Sequence, residues 1–276
     1  MGKCRLLSGL ATAGIVSIVG ILVVAPSCAE DPEPNLLAEF RKGPMAGLGQ
    51  LVFAVRRLGE DPHWYANFGS TLDHSRWRTY VDGARLCRLN LNTGKVTVLL
   101  DDPGGGARDP QLDYDAKKIL FSYRKGGSPY YHLCEIAIDG SGLRQLTDGP
   151  YDDVEPTYLP DGDILFVSTR CNRCVNCHTT QVAVLYRCDR DGKNLRILSS
   201  NNEHDNTPWV LPTGQVIYTR WEYVDRNQMA FHHLWVASPD GERQTVFYGN
   251  MYPSTTMIDA KPIPGSRKVV ASFSPG

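Results

Sequence analysis

The chain has 276 residues, 42% hydrophobic and 21% charged, with 26 Gly and 18 Pro. That make-up is globular and excludes collagen, coiled coil and a disordered tail. With 29 basic and 30 acidic residues the formal net charge is −1, and there is no basic run to bind a phosphate backbone, so nucleic acid is excluded as a partner.

At the start of the chain, Lys3 and Arg5 precede an uncharged apolar run over residues 10–25. Ser27-Cys28-Ala29 then offers the small residues that a signal peptidase reads. The expectation is a signal peptide over 1–29 and an extracytoplasmic, periplasmic protein. It would meet membrane only through that segment, or through lipid attachment at Cys28, where Ala25 and Pro26 make a poor lipobox. Residues 30–47 read as a linker and 48–276 as the folded domain.

Eight cysteines are many for a reducing compartment. Past the leader remain Cys87, Cys134, Cys171, Cys174, Cys177 and Cys188, enough for three disulfides after export.

A repeat runs along the domain. Asp153-Val154-Glu155-Pro156 leads to Leu159-Pro160-Asp161-Gly162 and an apolar run. Asp205-Asn206-Thr207-Pro208 leads to Leu211-Pro212-Thr213-Gly214 and another. Asp259-Ala260-Lys261-Pro262 leads to Pro264-Gly265 and a third, and a looser copy begins at Asp109-Pro110. Aligned on prolines 110, 156, 208 and 262, the spacings are 46, 52 and 54. Asp139-Gly140, Asp191-Gly192 and Asp240-Gly241 punctuate the units as tight turns, and Asn92-Thr93-Gly94 does so earlier. Each unit therefore reads as four short strands. The fold expected is all-β, a β-propeller of four-stranded blades. The chain holds about four blades and part of a fifth, as a fragment or with its last blade completed by another chain. Blade limits are expected at 50–106, 107–149, 150–202, 203–250 and from 251 onward.

With the strands of a blade named A to D from the axis outward, all seven histidines fall in or beside B–C and D–A loops. One face of the propeller is therefore decorated, and the face bearing the Pro-Asp-Gly and Asp-Gly turns is plain. Loops on a rigid scaffold are where binding and catalysis gather. In the third B–C loop, Cys174-Val175-Asn176-Cys177-His178 has the Cys-x-x-Cys-His spacing of covalent c-type haem, two thiols for the vinyl groups and an imidazole beside them. The same residues also allow a disulfide such as Cys174–Cys177 or Cys171–Cys188, or a zinc site of Cys171, Cys174, Cys177 and His178. Asp61, His63 and His204 are the expected neighbours from adjacent blades, candidate metal ligands with His178. His204 and Asp205 are expected to approach the axis.

Leu143-Arg144-Gln145-Leu146-Thr147 and the run from Leu159 to Phe166 resemble TolB-type propeller repeats. Three longer strings are similar to the propeller domain of the hydrazine synthase alpha subunit family: Asp61-Pro62-His63-Trp64-Tyr65-Ala66-Asn67-Phe68-Gly69, the stretch 199–209, and the stretch 218–226. The resemblance covers about 48–276. It implies redox chemistry on small nitrogen compounds at a c-type haem beside zinc, with electrons from an unidentified redox or protein partner. Carried over, Cys174 and Cys177 are thioether sites and His178 is the motif histidine. Val182 stands where the family has an iron-ligating tyrosine, and Tyr186 lies further on inside an expected strand. The alternative function is a periplasmic TolB-like binding propeller without catalysis, its loops stapled by disulfides.

Overall fold

A computed structural model describes residues 35–57, 59–60, 79–223 and 231–275. The leader reading, Asp61 and His63 lie outside these residues. Helix α1 (Leu36–Phe40) starts on Asn35, whose side chain accepts the Ala38 N–H. Arg41 then binds the carbonyls of Leu91 and Asn92. The stretch read as linker is thus fastened to the turn between the second and third strands of the first sheet.

The rest is antiparallel sheet. β4 (Gly106–Leu112), β5 (Lys118–Arg124), β6 (His132–Ala137) and β7 (Arg144–Gln145) form one four-stranded blade. β8 (Asp153–Tyr158), β9 (Ile164–Ser168), β10 (Val184–Cys188) and β11 (Arg196–Ile197) form the next. β12 (Asp205–Val210), β13 (Val216–Trp221), β14 (Phe231–Ala237) and β15 (Thr245–Tyr248) form a third, beside which β16 (Thr255–Pro262) and β17 (Val269–Pro275) make a hairpin. These are the second, third, fourth and fifth blades expected.

The first sheet has three strands, β1 (Gln50–Val55), β2 (Ala84–Asn90) and β3 (Val96–Asp102). The Asn92-Thr93-Gly94 turn joins β2 to β3 as the Asp-Gly turns join C to D elsewhere. These strands are therefore B, C and D, and no A strand pairs with β1 among the described residues.

The middle strands read as unbroken apolar runs because neighbouring blades cover both their faces. Ile119, Leu120 and Phe121 of β5, and Ile164, Leu165, Phe166 and Val167 of β9, are all fully buried. The main core lies between the second, third and fourth blades, with smaller clusters between the first and second and between the fourth and fifth.

Two devices repeat at the joints. At the rim, each Asp-Gly glycine has positive φ and lies against the preceding blade. A Cβ on Gly192 would stand 2.0 Å from the Leu146 carbonyl oxygen, and one on Gly241 2.5 Å from that of Leu198. Glycine is required there both for the turn and for the close approach.

At the axis, each A strand carries a β-bulge whose extra residue is left-handed: Asp109, Glu155, Thr207 and Asp259, with φ of 55°, 53°, 49° and 58°. Their spacings are 46, 52 and 52, which corrects the alignment of the last repeat. Asp259 matches Glu155 rather than Asp153, and Ala260 stands where the others have proline. The Glu155 N–H donates to Asp109 Oδ2 at 3.1 Å, the Thr207 N–H to Glu155 Oε2 at 2.5 Å, and the Asp259 N–H to Thr207 Oγ1 at 3.2 Å. A bulge frees one backbone N–H from the ladder, and here that N–H bonds the side chain of the preceding blade's bulge.

Candidate functional site

The Cys-x-x-Cys-His segment is the tip of the β9–β10 connection. Its chain turns back on itself, with the Val175 N–H on the Thr180 carbonyl at 3.0 Å and the Val182 N–H on the Arg173 carbonyl at 2.8 Å. Val175 is buried and acts as the apolar foot, while Cys177 is exposed and Cys174 half-buried. The Cys174 thiol donates to the Thr179 carbonyl at 3.6 Å, and burial raises its pKa. His178 Nδ1 is 2.9 Å from Thr180 Oγ1.

The hairpin belongs to the third blade but is held by the fourth. The Asn176 N–H donates to Glu203 Oε1 at 3.1 Å, and Asn176 Nδ2 to the Tyr223 carbonyl at 3.2 Å. Arg173 Nη2 donates to the Asn201 carbonyl. Burial pushes the Glu203 carboxyl up to about 7, against the opposing effects of the Asn176 N–H and the Arg173 charge. Behind this lies an aromatic stack. The Trp221 ring sits 5.1 Å from His232, 6.1 Å from His204 and 6.1 Å from Tyr223, all near-parallel.

His204 is brought to this neighbourhood but not to the axis. It is fully buried between blades, and its Nδ1 accepts the Ala183 N–H at 3.0 Å. Desolvation drops its pKa to about 3. A neutral imidazole that accepts at Nδ1 carries its proton on Nε2, leaving no lone pair for a metal. His204, one of the expected ligands, thus presents an N–H rather than a lone pair at Nε2. Asp205 is not among the residues that line the axial cavity with Glu155 and Thr207, and Arg220 takes its carboxylate through Nε at 2.8 Å and Nη2 at 3.0 Å. The bulges had to be counted to see that the axis belongs to the residues two places later.

Among the described residues no three His, Cys, Asp or Glu side chains stand where they could hold one ion. All six described cysteines are free thiols, so neither the Cys171–Cys188 nor the Cys174–Cys177 staple is made. Cys87, Cys134 and Cys188 are instead small core residues on C strands. The residues present do fit a covalently held haem: two unbridged thiols three residues apart on a protruding turn, with an imidazole next in sequence. Glu203 Oε2 and Arg173 Nε at the hairpin's base are buried and make no hydrogen bond among the described residues, so polar capacity remains there for a further group. Val182 is fully buried, and Tyr186 packs on Phe166 at 6.0 Å inside its strand. Tyr186 therefore lies within the blade.

Sequence reasoning missed the plain face. The axis opens there into a cavity of about 450 Å³ lined by Tyr114, Tyr158, Trp209, Leu211, Pro212 and Pro264, among others. Deeper on the axis a second cavity of about 190 Å³ is lined by Asp109, Glu155, Thr207, Asp259 and Lys261. Burial, and secondly Asp109, raise the Glu155 carboxyl's pKa, and the Lys261 ammonium rests 4.1 Å from the Trp209 ring centroid. The signal in the sequence was the residue before prolines 110, 156 and 208, and Asp259 at the same spacing in the last repeat.

No family profile matches the chain. It is 39% identical over 85 residues to hydrazine synthase subunit alpha of Kuenenia stuttgartiensis, a match of 30% of this chain and 10% of that protein. Among solved structures, hydrazine synthase of the same organism superposes with a TM-score of 0.67 at 21% identity, over 84% of this chain and 36% of that one. TolB of Agrobacterium tumefaciens superposes with a TM-score of 0.48 at 18% identity, over 60% of this chain and 56% of that one. The chain spans 10% of the length of that synthase subunit and 36% of that of the solved hydrazine synthase chain. It is a β-propeller similar in sequence and fold to part of hydrazine synthase subunit alpha.

Proposed function

We propose that this protein is an extracytoplasmic propeller that carries one c-type haem on the Cys174–Cys177–His178 hairpin, for redox chemistry on small nitrogen compounds. The observation that carries the reading is the pair of free thiols on one exposed hairpin beside His178, braced by Glu203 and Tyr223. The similarity to hydrazine synthase subunit alpha supports it, as does the leader-like start of the sequence.

Bound there, a haem would supply one-electron chemistry, and Cys174 and Cys177 would hold it through two thioethers. The chain's own part is positional. The Asn176 contacts fix the hairpin to the fourth blade, and the buried Val175 keeps its base from swinging. The test is expression in a periplasm that attaches haem, followed by pyridine-haemochrome absorbance of the denatured protein. A covalent haem signal that is lost or weakened in Cys174→Ser and Cys177→Ser is expected. Wild-type protein without covalent haem would overturn the reading.

The plain-face cavity favours a second reading, a binding propeller without catalysis. Its aromatic and proline lining, with Gln111 and Thr157 as polar groups, is the make-up of a small-ligand or peptide site. Retention of function after loss of both thiols would select it.

A further inference from the structure

Two places after each bulge residue, the four repeats carry Gln111, Thr157, Trp209 and Lys261. Gln111 lines both the plain-face cavity and the deeper one, Thr157 and Trp209 line the outer, and Lys261 lines the inner. A primary amine thus stands where an aromatic vestibule meets the axis. We propose that Lys261 captures small aldehydes of aromatic body, entering from the plain face, as a reversible imine, an inference that rests on the reading of that face as a binding site.

The Lys261 ammonium makes no hydrogen bond among the described residues. Asp259 Oδ1 stands 4.0 Å from it and the Trp209 ring centroid 4.1 Å. The side chain is 34% exposed, so its nitrogen can be reached from the cavity. Desolvation lowers its pKa, against the raising effects of Asp259, Glu155 and Asp109. A lysine desolvated in this way is an activated nucleophile. In the step proposed, Asp259 takes one proton from the ammonium. The nitrogen lone pair adds to the carbonyl carbon, and the C=O pair moves to oxygen. That oxygen leaves as water with one hydrogen from the nitrogen and the one that Asp259 had held. Ammonium plus carbonyl therefore give a protonated imine plus water, with no oxidation or reduction. The product keeps its positive charge, so the contacts with Trp209 and Asp259 survive the reaction. Tyr158, Leu211, Pro212 and Pro264 of the vestibule suit the aromatic body of the ligand.

The probe is benzaldehyde with sodium cyanoborohydride, which reduces an imine to a stable benzylamine. It is applied briefly to the full chain and read by mass spectrometry of the peptides. Lys261 is expected to gain a benzyl group about tenfold faster than Lys117, because less of it is held as ammonium. Lys117 is the comparison because its side chain is 78% exposed. Benzyl alcohol, of the same shape but without a carbonyl, is expected to slow labelling of Lys261 and to leave Lys117 unaffected. Lys261→Met is expected to remove the fast phase, with no other lysine taking it over. Labelling of Lys261 no faster than that of Lys117, or indifferent to benzyl alcohol, overturns the proposal. Saturation-transfer NMR on benzyl alcohol separates this failure from failure of the binding reading. Transfer from wild type without preferential labelling of Lys261 leaves a binding cavity and removes the imine, whereas no transfer overturns both.

Discussion

The Thr207 N–H points across the gap between two blades and meets Glu155 Oε2 at 2.5 Å. The donor comes from a β-bulge and the acceptor from the matching bulge one blade earlier. Thr207 then accepts from Asp259, so it is donor and acceptor in successive joints. Replacing it with valine removes the acceptor and keeps the shape. Thr207→Val is expected to destabilise the fold by about 0.5–1.5 kcal/mol, the net worth of the part-buried hydrogen bond that it loses. Urea unfolding measures this, and a midpoint unchanged from wild type would contradict the clasp.

Glu155→Gln separates geometry from charge. The amide oxygen can still accept the Thr207 N–H, so the clasp survives. Glu155→Ala removes it. The alanine variant is expected to unfold at lower urea than the glutamine variant, by about 1 kcal/mol or more.

Gly192 tests the rim. It holds φ +76°, and a Cβ would collide with the Leu146 carbonyl. Gly192→Ala is expected to cost more than about 1 kcal/mol. Gly214, with φ +82° but nothing within 4 Å, is the control that reports the turn alone. Thermal melts of the two variants should rank Gly192→Ala as the less stable.

His204 makes the protein acid-sensitive, and the sign is fixed by its partners. The folded imidazole stays neutral to about pH 3 because it is desolvated, whereas the unfolded one takes a proton near pH 6.5. Between those values the unfolded state binds more protons, so stability falls as pH is lowered. The loss from this residue is on the order of 3 kcal/mol between pH 6.5 and pH 4. His204→Gln should flatten that limb of the stability profile. Long-range nitrogen NMR should show the Nε2–H tautomer, undisturbed by added zinc.

The thiols should separate by burial. Cys134 and Cys188 are pushed up to about 12 by desolvation, whereas Cys177 lies on the exposed turn. In protein expressed without haem attachment, Ellman's reagent is expected to modify Cys177 first and to reach Cys134 and Cys188 only on unfolding. Cys177→Ser should change stability by no more than about 0.5 kcal/mol. A drop of several kcal/mol would restore the disulfide staple.

The blades were legible because their turns are spelled in Asp-Gly and Pro-Asp-Gly, and a turn of positive φ leaves glycine little competition. The axis was not. A bulge inserts one residue and breaks the alternation by which inward and outward positions are read, so His204 and Asp205 looked axial when Thr207 is. Proline misled in the last repeat, because Ala260 replaces it and Pro262 lies two places on. The hairpin was plain in its cysteines. Its support was hidden in Glu203 and Tyr223, which are distant in sequence and ordinary in type. Glu203 sat unremarked beside a histidine whose chemistry drew the eye.

The joint at the axis asks little of its side chains. Its donor is main chain, which every residue but proline possesses, and aspartate, glutamate and threonine all serve as acceptor. Spacing between blades is thereby uncoupled from what the central passage is made of. Each repeat can drift between acidic and neutral at this position without loosening the ring. The electrostatic character of the axial cavity is thus set independently of the joint, while the scaffold holds its gauge.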